Sequence, residues 1–343
     1  MLKTLTAGLA AIALCCAPGP TRGQPAGWPS KGGTVTGLEL AKRREALIAQ
    51  CPLIPSISDA EAAKLPIHVT RWGTRGPRVV LIHGGVQGRL GGGPATFFDQ
   101  QAWGGDGWQV ELADRPGFGA SPSRGPDDMV RDAVWIADML GDGANLIGHS
   151  WGGAEALLAA ARRPEAVRSL VLVEPALFAI TEADPSLRDS PAVKAAAAMR
   201  TRMLTTAQTP AEYGGMFAKM LGTAADNADK ATASASLGTD PAEAAAMGCA
   251  LLQARMAPFD ELQRAIEAVT RAGVPVLIVT GGWNPGFDAA ADVLAKLMHG
   301  RHLVVRSPNH FVQLANAPDF NREVGTFMRE ADRTRKSPLA AGQ

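Results

Sequence analysis

The chain has 343 residues with 34 Lys and Arg against 33 Asp and Glu, a formal net charge of +1. With 46% apolar residues it is long enough for one large domain with an insertion. The near-balance of charge, with no basic block, argues against a nucleic-acid partner.

The first residues have the pattern of an export signal. Lys3 supplies a short positive region, and Leu5 through Ala17 is almost wholly apolar before Pro18 and Gly19. Such a run is too short to span a bilayer and suits a secretory segment, so residues 1–17 are expected to be a signal peptide and the protein periplasmic or secreted. A misassigned start ahead of an apolar tail is the rival reading. Cys15 and Cys16 suggest lipid attachment, but Leu14 stands where a small residue is expected, so a lipid anchor is the less favoured outcome. After removal of the signal, Cys51 and Cys249 remain; one disulfide and two separate thiols are both compatible with the sequence. Neither has a Cys or His neighbour at metal-ligand spacing, so no metal site is expected.

Residues 18–34 are rich in Pro and Gly and read as a linker. Residues 38–50 form an amphipathic helical pattern. Short apolar runs then alternate with helical periodicities: strands at 65–73, 78–85, 107–119, 144–150, 167–177, 274–282 and 301–310, and helices at 127–143, 152–164, 289–300 and 317–331. That alternation predicts an α/β fold with a mostly parallel central sheet covered by helices on both faces. Residues 178–270 interrupt it with Ala- and Met-rich helical sequence and no convincing strand, and are expected to be a helical cap. The core is accordingly divided into 35–177 and 271–332, with 333–343 as a tail.

Two stretches carry chemistry. "GHSWG" (148–152) fits G-x-S-x-G where a strand becomes a helix. A serine there sits on a strained turn, the flanking glycines let backbones pass, and the helix N-terminus lies beneath developing negative charge. Ser150 is therefore the expected nucleophile. "LIHGG" (81–85) ends a strand in a loop whose N–H groups would point at the reacting carbonyl; Gly85 and Trp151 are the expected oxyanion-hole donors. The glycine-rich run 84–94 lacks the Lys and Ser or Thr of a phosphate loop. Of the six histidines, His310 follows the last strand at the serine's end of the sheet and is the expected base. His299 and His302 fall at the opposite end, His68 lies within a strand, His149 points away from the serine, and His83 reads as structural.

Serine turn, HGG loop, "DRPGFGAS" (114–121) and "NH" (309–310) together resemble the α/β-hydrolase superfamily over most of residues 65–332 outside the cap. The resemblance implies that Asp114 stabilises its own loop. It also exposes a departure. Relatives usually carry the acid of the triad after the strand before the last, where this chain has Asn284. An amide orients a histidine but does not stabilise imidazolium as a carboxylate does. Glu174 ends the apolar run "LVLVE" (170–174) at the serine's end of the sheet, where some superfamily members place their acid, and is the expected substitute; Asp288 is the alternative.

The expected function is hydrolysis of a carboxylic ester or lactone through an acyl-enzyme on Ser150, with no cofactor, a small-molecule substrate and no membrane span. Met199, Met203, Leu204, Met216, Phe217 and Met220 suggest an apolar pocket under the cap. The rivals are cleavage of an amide or carbon–carbon bond on the same scaffold, and a non-catalytic binding protein with a degenerate triad. Epoxide and haloalkane hydrolysis call for an Asp nucleophile, which Ser150 replaces. No oligomeric state is read from the sequence.

Overall fold

The computed structural model describes residues 29–30, 33–34, 36–87, 93–187, 189–222 and 240–336. The expected signal peptide, most of the linker and the tail beyond residue 336 lie outside them. Seven strands form one sheet: β1 (Val69–Trp72), β2 (Arg78–Ile82), β3 (Gln109–Ala113), β4 (Ala144–His149), β5 (Val167–Val173), β6 (Val276–Thr280) and β7 (Arg301–Val304). The principal helices are α1 (Gly37–Ile48), α2 (Met129–Met139), α3 (Ser150–Arg162), α4 (Phe178–Ala183), α5 (Pro191–Thr206), α6 (Pro210–Met220), α7 (Pro241–Gln253), α8 (Phe259–Arg271), α9 (Pro285–Leu297) and α10 (Ala317–Lys336).

Strand order is β1-β3-β2-β4-β5-β6-β7, antiparallel only between β1 and β3. The period of two along each strand divides the core. Val80, Ile82, Leu146, Leu170, Leu172 and Ile278 face the layer with α2, α3 and α8. Val79, Leu81, Ile147, Val171, Val173 and Val279 face the opposite layer, where Phe320, Val324, Phe327 and Met328 of α10 cover them. Both faces of the central strands are thus apolar, and burying each such Val, Leu or Ile contributes about 1.5–3 kcal/mol.

The insertion is shorter than residues 178–270. Leu262, Ala265, Ile266 and Val269 give α8 one apolar stripe at helical spacing, and that stripe packs on α3. Helix α8 therefore belongs to the layers covering the sheet, and the cap consists of α4 to α7. Three cap helices open on proline at the first turn behind a side-chain cap: Ser190, Thr209 and Asp240 accept from Val193, Glu212 and Ala242.

The N-terminal end of the first core segment also belongs with the cap. Helix α1 packs on α5 and α7, Arg44 donates to the carbonyls of Leu252 and Ala254, and Ile54 N–H donates to Gln253. Cys51 and Cys249 form a disulfide between these elements, 198 residues apart in sequence. Among the described residues no helix is long and apolar enough to cross a membrane.

Candidate active site

Strand register delivers the site. His149 of β4 pairs with Val173 of β5, so Ser150 and Glu174 leave the sheet side by side at its carboxyl end. Val173 pairs in turn with Val279 of β6, which brings the loop after β6 against Glu174. The turn at Ser150 has φ +54°, a left-handed conformation that costs a side-chain-bearing residue about 1–3 kcal/mol and is held by its surroundings. A Cβ on Gly148 would stand 2.3 Å from the carbonyl oxygen of Gly152, and one on Gly152 would stand 2.4 Å from that of His83. Glycine at both positions is a steric requirement of the turn.

The loop after β7 carries His310 into the interior. Its backbone N–H donates to the Leu221 carbonyl, its own carbonyl is bonded to His149 Nε2 at 3.0 Å, and Phe311 and Phe287 pack beside its ring. His310 Nδ1 lies 2.6 Å from Glu174 Oε2. Glu174 is fully buried and accepts further bonds from Gly281 N–H at 2.9 Å and the Trp283 indole at 2.8 Å. Burial pushes its carboxyl above the usual carboxylate range, against the pull of those two N–H donors. Burial pushes the His310 imidazole downward, so the ring rests neutral. With Nδ1 bonded to Glu174, Nε2 is the ring nitrogen left to exchange a proton. That Nε2 is buried without a hydrogen-bond partner, and His310 and Ser150 line one cavity.

Asn284 does not approach this pair. It caps α9, its side-chain oxygen accepting from Gly286 N–H at 2.8 Å. Because α9 starts at once, Asp288 rides on its first turn and accepts from Thr280 Oγ1 at 2.5 Å. The alternative acid is thereby carried away from His310; Glu174 alone of the expected carboxylates meets it. The other histidines are engaged elsewhere: His68 with Asp114, His302 with Asp292 and Thr280, and His83 with Gly84 O and Arg115 N–H. His299 holds the left-handed turn before β7 with φ +50°. Asp114 also accepts from Ala120 N–H within its own loop.

On the other side of the serine, Gly85 and Trp151 line the same cavity. Trp151 is the second residue of α3, so its N–H has no partner within the helix. Beneath both lies a buried charge cluster not anticipated from the sequence. Arg115 binds Glu155 through two bonds of 2.7 Å, Asp127 through another of 2.7 Å, and the Gly85 carbonyl at 2.8 Å. Glu155 also accepts from the Trp151 indole at 2.8 Å, and Asp127 from Gln87 N–H at 2.9 Å. The cluster ties the HGG loop and the start of α3 to one guanidinium. Burial raises the carboxyls of Glu155 and Asp127, and that of nearby Asp132 to about 6, against the pull of Arg115. The partners lie 12 and 40 residues from Arg115, a spacing with no local signature.

The cavity over Ser150 is roofed by the cap. Met203, Phe217 and Met220 line it as expected, joined by Tyr213, Leu251 and Met256. Leu204 and Met216 instead pack into the core, and Met199 is not among the lining residues. No group of three or more His, Cys, Asp or Glu suited to a metal ion occurs among the described residues.

A family model described as the alpha/beta hydrolase fold matches residues 77–317. The chain belongs to the α/β-hydrolase family. This hydrolase is 36% identical over 119 residues to lipase LipV of Mycobacterium tuberculosis, covering 33% of this chain and 43% of the lipase. It is 43% identical over 77 residues to the pimeloyl-[acyl-carrier protein] methyl ester esterase of Neisseria meningitidis serogroup B, covering 22% and 29%. A 2-hydroxy-6-oxononadienedioate/2-hydroxy-6-oxononatrienedioate hydrolase of Burkholderia vietnamiensis is 35% identical over 120 residues, covering 33% and 41%. The chain thus spans less than half the length of these curated relatives. Among solved structures, a thermophilic esterase from Thermogutta terrifontis superposes with a TM-score of 0.56 at 17% identity, over 82% of this chain and 98% of that one. A putative ancestral haloalkane dehalogenase superposes at 0.55 and 18% identity, over 82% and 100%. Both likenesses are of fold.

Proposed function

We propose that this hydrolase cleaves a carboxylic ester through an acyl-enzyme on Ser150. The observation that carries the reading is the 2.6 Å contact of His310 Nδ1 with Glu174, which leaves Nε2 unpartnered in the wall of the cavity that Ser150 shares. In the first half-reaction Ser150 Oγ attacks the ester carbonyl and its proton passes to His310 Nε2. The tetrahedral oxyanion is held by the N–H groups of Gly85 and Trp151. Its collapse breaks the carbon–oxygen bond, and the leaving alcohol takes the proton from Nε2. Water then adds to the acyl carbon, giving a proton to Nε2; collapse releases the acid, and Oγ takes that proton back. Glu174 supplies the negative charge that stabilises imidazolium in both halves.

The lipase and methyl ester esterase among the relatives support an ester as the bond cleaved. The 2-hydroxy-6-oxononadienedioate hydrolase among them is the reason to assay that dienedioate beside esters. Asn284, the one residue that favoured a non-catalytic reading, is accounted for as the cap of α9. An exported location is part of the proposal, supported by the apolar run after Lys3 and by a disulfide suited to an oxidising compartment. The deciding experiment is turnover of p-nitrophenyl butyrate by the wild-type protein and by Ser150→Ala, with phosphonate labelling in parallel. Turnover and labelling that both vanish in Ser150→Ala support the reading; labelling that persists there overturns it.

A further inference from the structure

Behind the cavity that holds Ser150 and His310 lies a second one that neither residue reaches. Its walls are mostly apolar, with Leu177 from the loop after β5, Val193 and Ala196 of α5, and Ala290, Ala291 and Leu294 of α9, beside Thr181 and Glu182 of α4. Phe178, Arg200, Met220 and Phe287 line both cavities, so a partition of side chains alone stands between them. The rings of Phe178 and Phe287 meet edge to face with centroids 6.0 Å apart. The Arg200 guanidinium lies 5.0 Å over the Phe178 ring and is ion-paired with Glu182 of α4.

The composition of the partition states what can pass. Met220 is unbranched and Arg200 has a long flexible stem, so both can swing aside without a shift of backbone. The Arg200–Glu182 pair is neutral as a unit, and a chain carrying its own carboxylate would have to split it in a poorly solvated place. The other polar groups of the lining are occupied, Asn284 in capping α9 and the Thr181 hydroxyl in donating to the Phe178 carbonyl. We infer that the distal chamber receives the far end of a straight, uncharged aliphatic chain whose near end is held over Ser150. That makes the preferred substrate a medium- or long-chain aliphatic ester, with Phe178, Arg200, Met220 and Phe287 as the gate that short chains do not need. The inference rests on the ester-hydrolase reading only for the identity of the bond cleaved.

Binding and turnover separate the two. Ser150→Ala would be titrated calorimetrically with hexanol, decanol and decanoate, and the hexanol and decanol titrations repeated after adding Ala196→Phe or Ala290→Phe, which fill the distal chamber from different helices. Each methylene removed from water strengthens binding by about four-fold, so decanol is expected to bind about ten-fold or more tighter than hexanol. Either filled variant should lose that gain while hexanol binding stays unchanged, and decanoate should bind more weakly than decanol. Equal affinity for hexanol and decanol in Ser150→Ala overturns the inference. So does a decanol gain that survives in filled variants with an unaltered unfolding temperature, or decanoate binding as tight as decanol. A wild-type protein inert toward p-nitrophenyl esters, with the decanol gain intact, would sink the ester reading and leave the chamber standing. Turnover of the butyrate without the decanol gain would do the reverse.

Discussion

Two fully buried glutamates flank the serine turn, and they are neutralised in opposite ways. Glu174 is bonded only to uncharged groups in the resting protein: a backbone N–H, an indole and a neutral imidazole. Glu155 faces a guanidinium that never gives up its proton. The first arrangement leaves room for charge to appear on His310 and vanish again during turnover. The second is fixed, and what it holds is geometry: the Gly85 carbonyl and the Trp151 indole. A reaction that creates a transient cation on one side of the serine and a transient anion on the other needs both kinds of support. In the proposed reaction one carboxylate answers the changing charge, and the other holds the loop that carries Gly85.

The contrast can be broken at the serine itself. Ser150→Ala is expected to lower ester turnover by on the order of 10⁶ with little effect on the unfolding midpoint; full turnover in that variant would remove the premise. Next in size, Glu174→Gln should reduce kcat by on the order of 10⁴, because the amide leaves imidazolium uncompensated. Asp288→Asn, by contrast, should change kcat less than ten-fold, and steady-state kinetics giving the reverse ranking would move the acid to α9.

Arg115→Met tests the static side. It strands Glu155 and Asp127 without their cation, so denaturant unfolding should show a loss of about 3–5 kcal/mol. Unfolding at the wild-type midpoint would mean that the cluster holds nothing. The pH dependence sharpens the dynamic side. Burial depresses His310 but raises Glu174 to about 8, and the proposed reaction needs the imidazole neutral and the carboxyl ionised, so kcat/KM should climb on an acid limb centred near 8 and set by the carboxyl. Stability has the same sign: the histidine's contribution is complete above 6.5 and is lost as pH falls toward its lower folded value. An acid limb centred below 6.5 in the pH–rate profile would contradict the raised carboxyl. The smallest effect belongs to Asn284→Ala, which removes a helix cap worth about 1 kcal/mol and should leave kcat within about two-fold, readable by thermal unfolding and p-nitrophenyl butyrate turnover together.

How much was visible beforehand follows from how local each signal is. The serine turn announces itself because its constraint acts over two residues on either side, and the glycines of 148–152 are that constraint written out. The strands declare themselves as apolar runs, and with them the sheet end at which Glu174 and His310 emerge. Strand register set Glu174 beside His310, while the immediate start of α9 after Asn284 turns Asp288 toward Thr280. Assigning α8 to the cap was an error of pattern: helical periodicity is the same whether the stripe meets a cap or the sheet layer.

From its sequence alone this protein was already an α/β hydrolase with a nucleophile-like Ser150, because steric demands on a tight turn and the apolar alternation of strands are recorded residue by residue. Only the tertiary structure decided that Cys51 and Cys249 pair, that α1 closes on the cap, that Arg115 gathers three carboxylates, and that a second apolar chamber lies beyond the first. Each of these depends on residues distant along the chain meeting in a low-dielectric interior, where burial and pairing set energies that no local pattern of residues encodes.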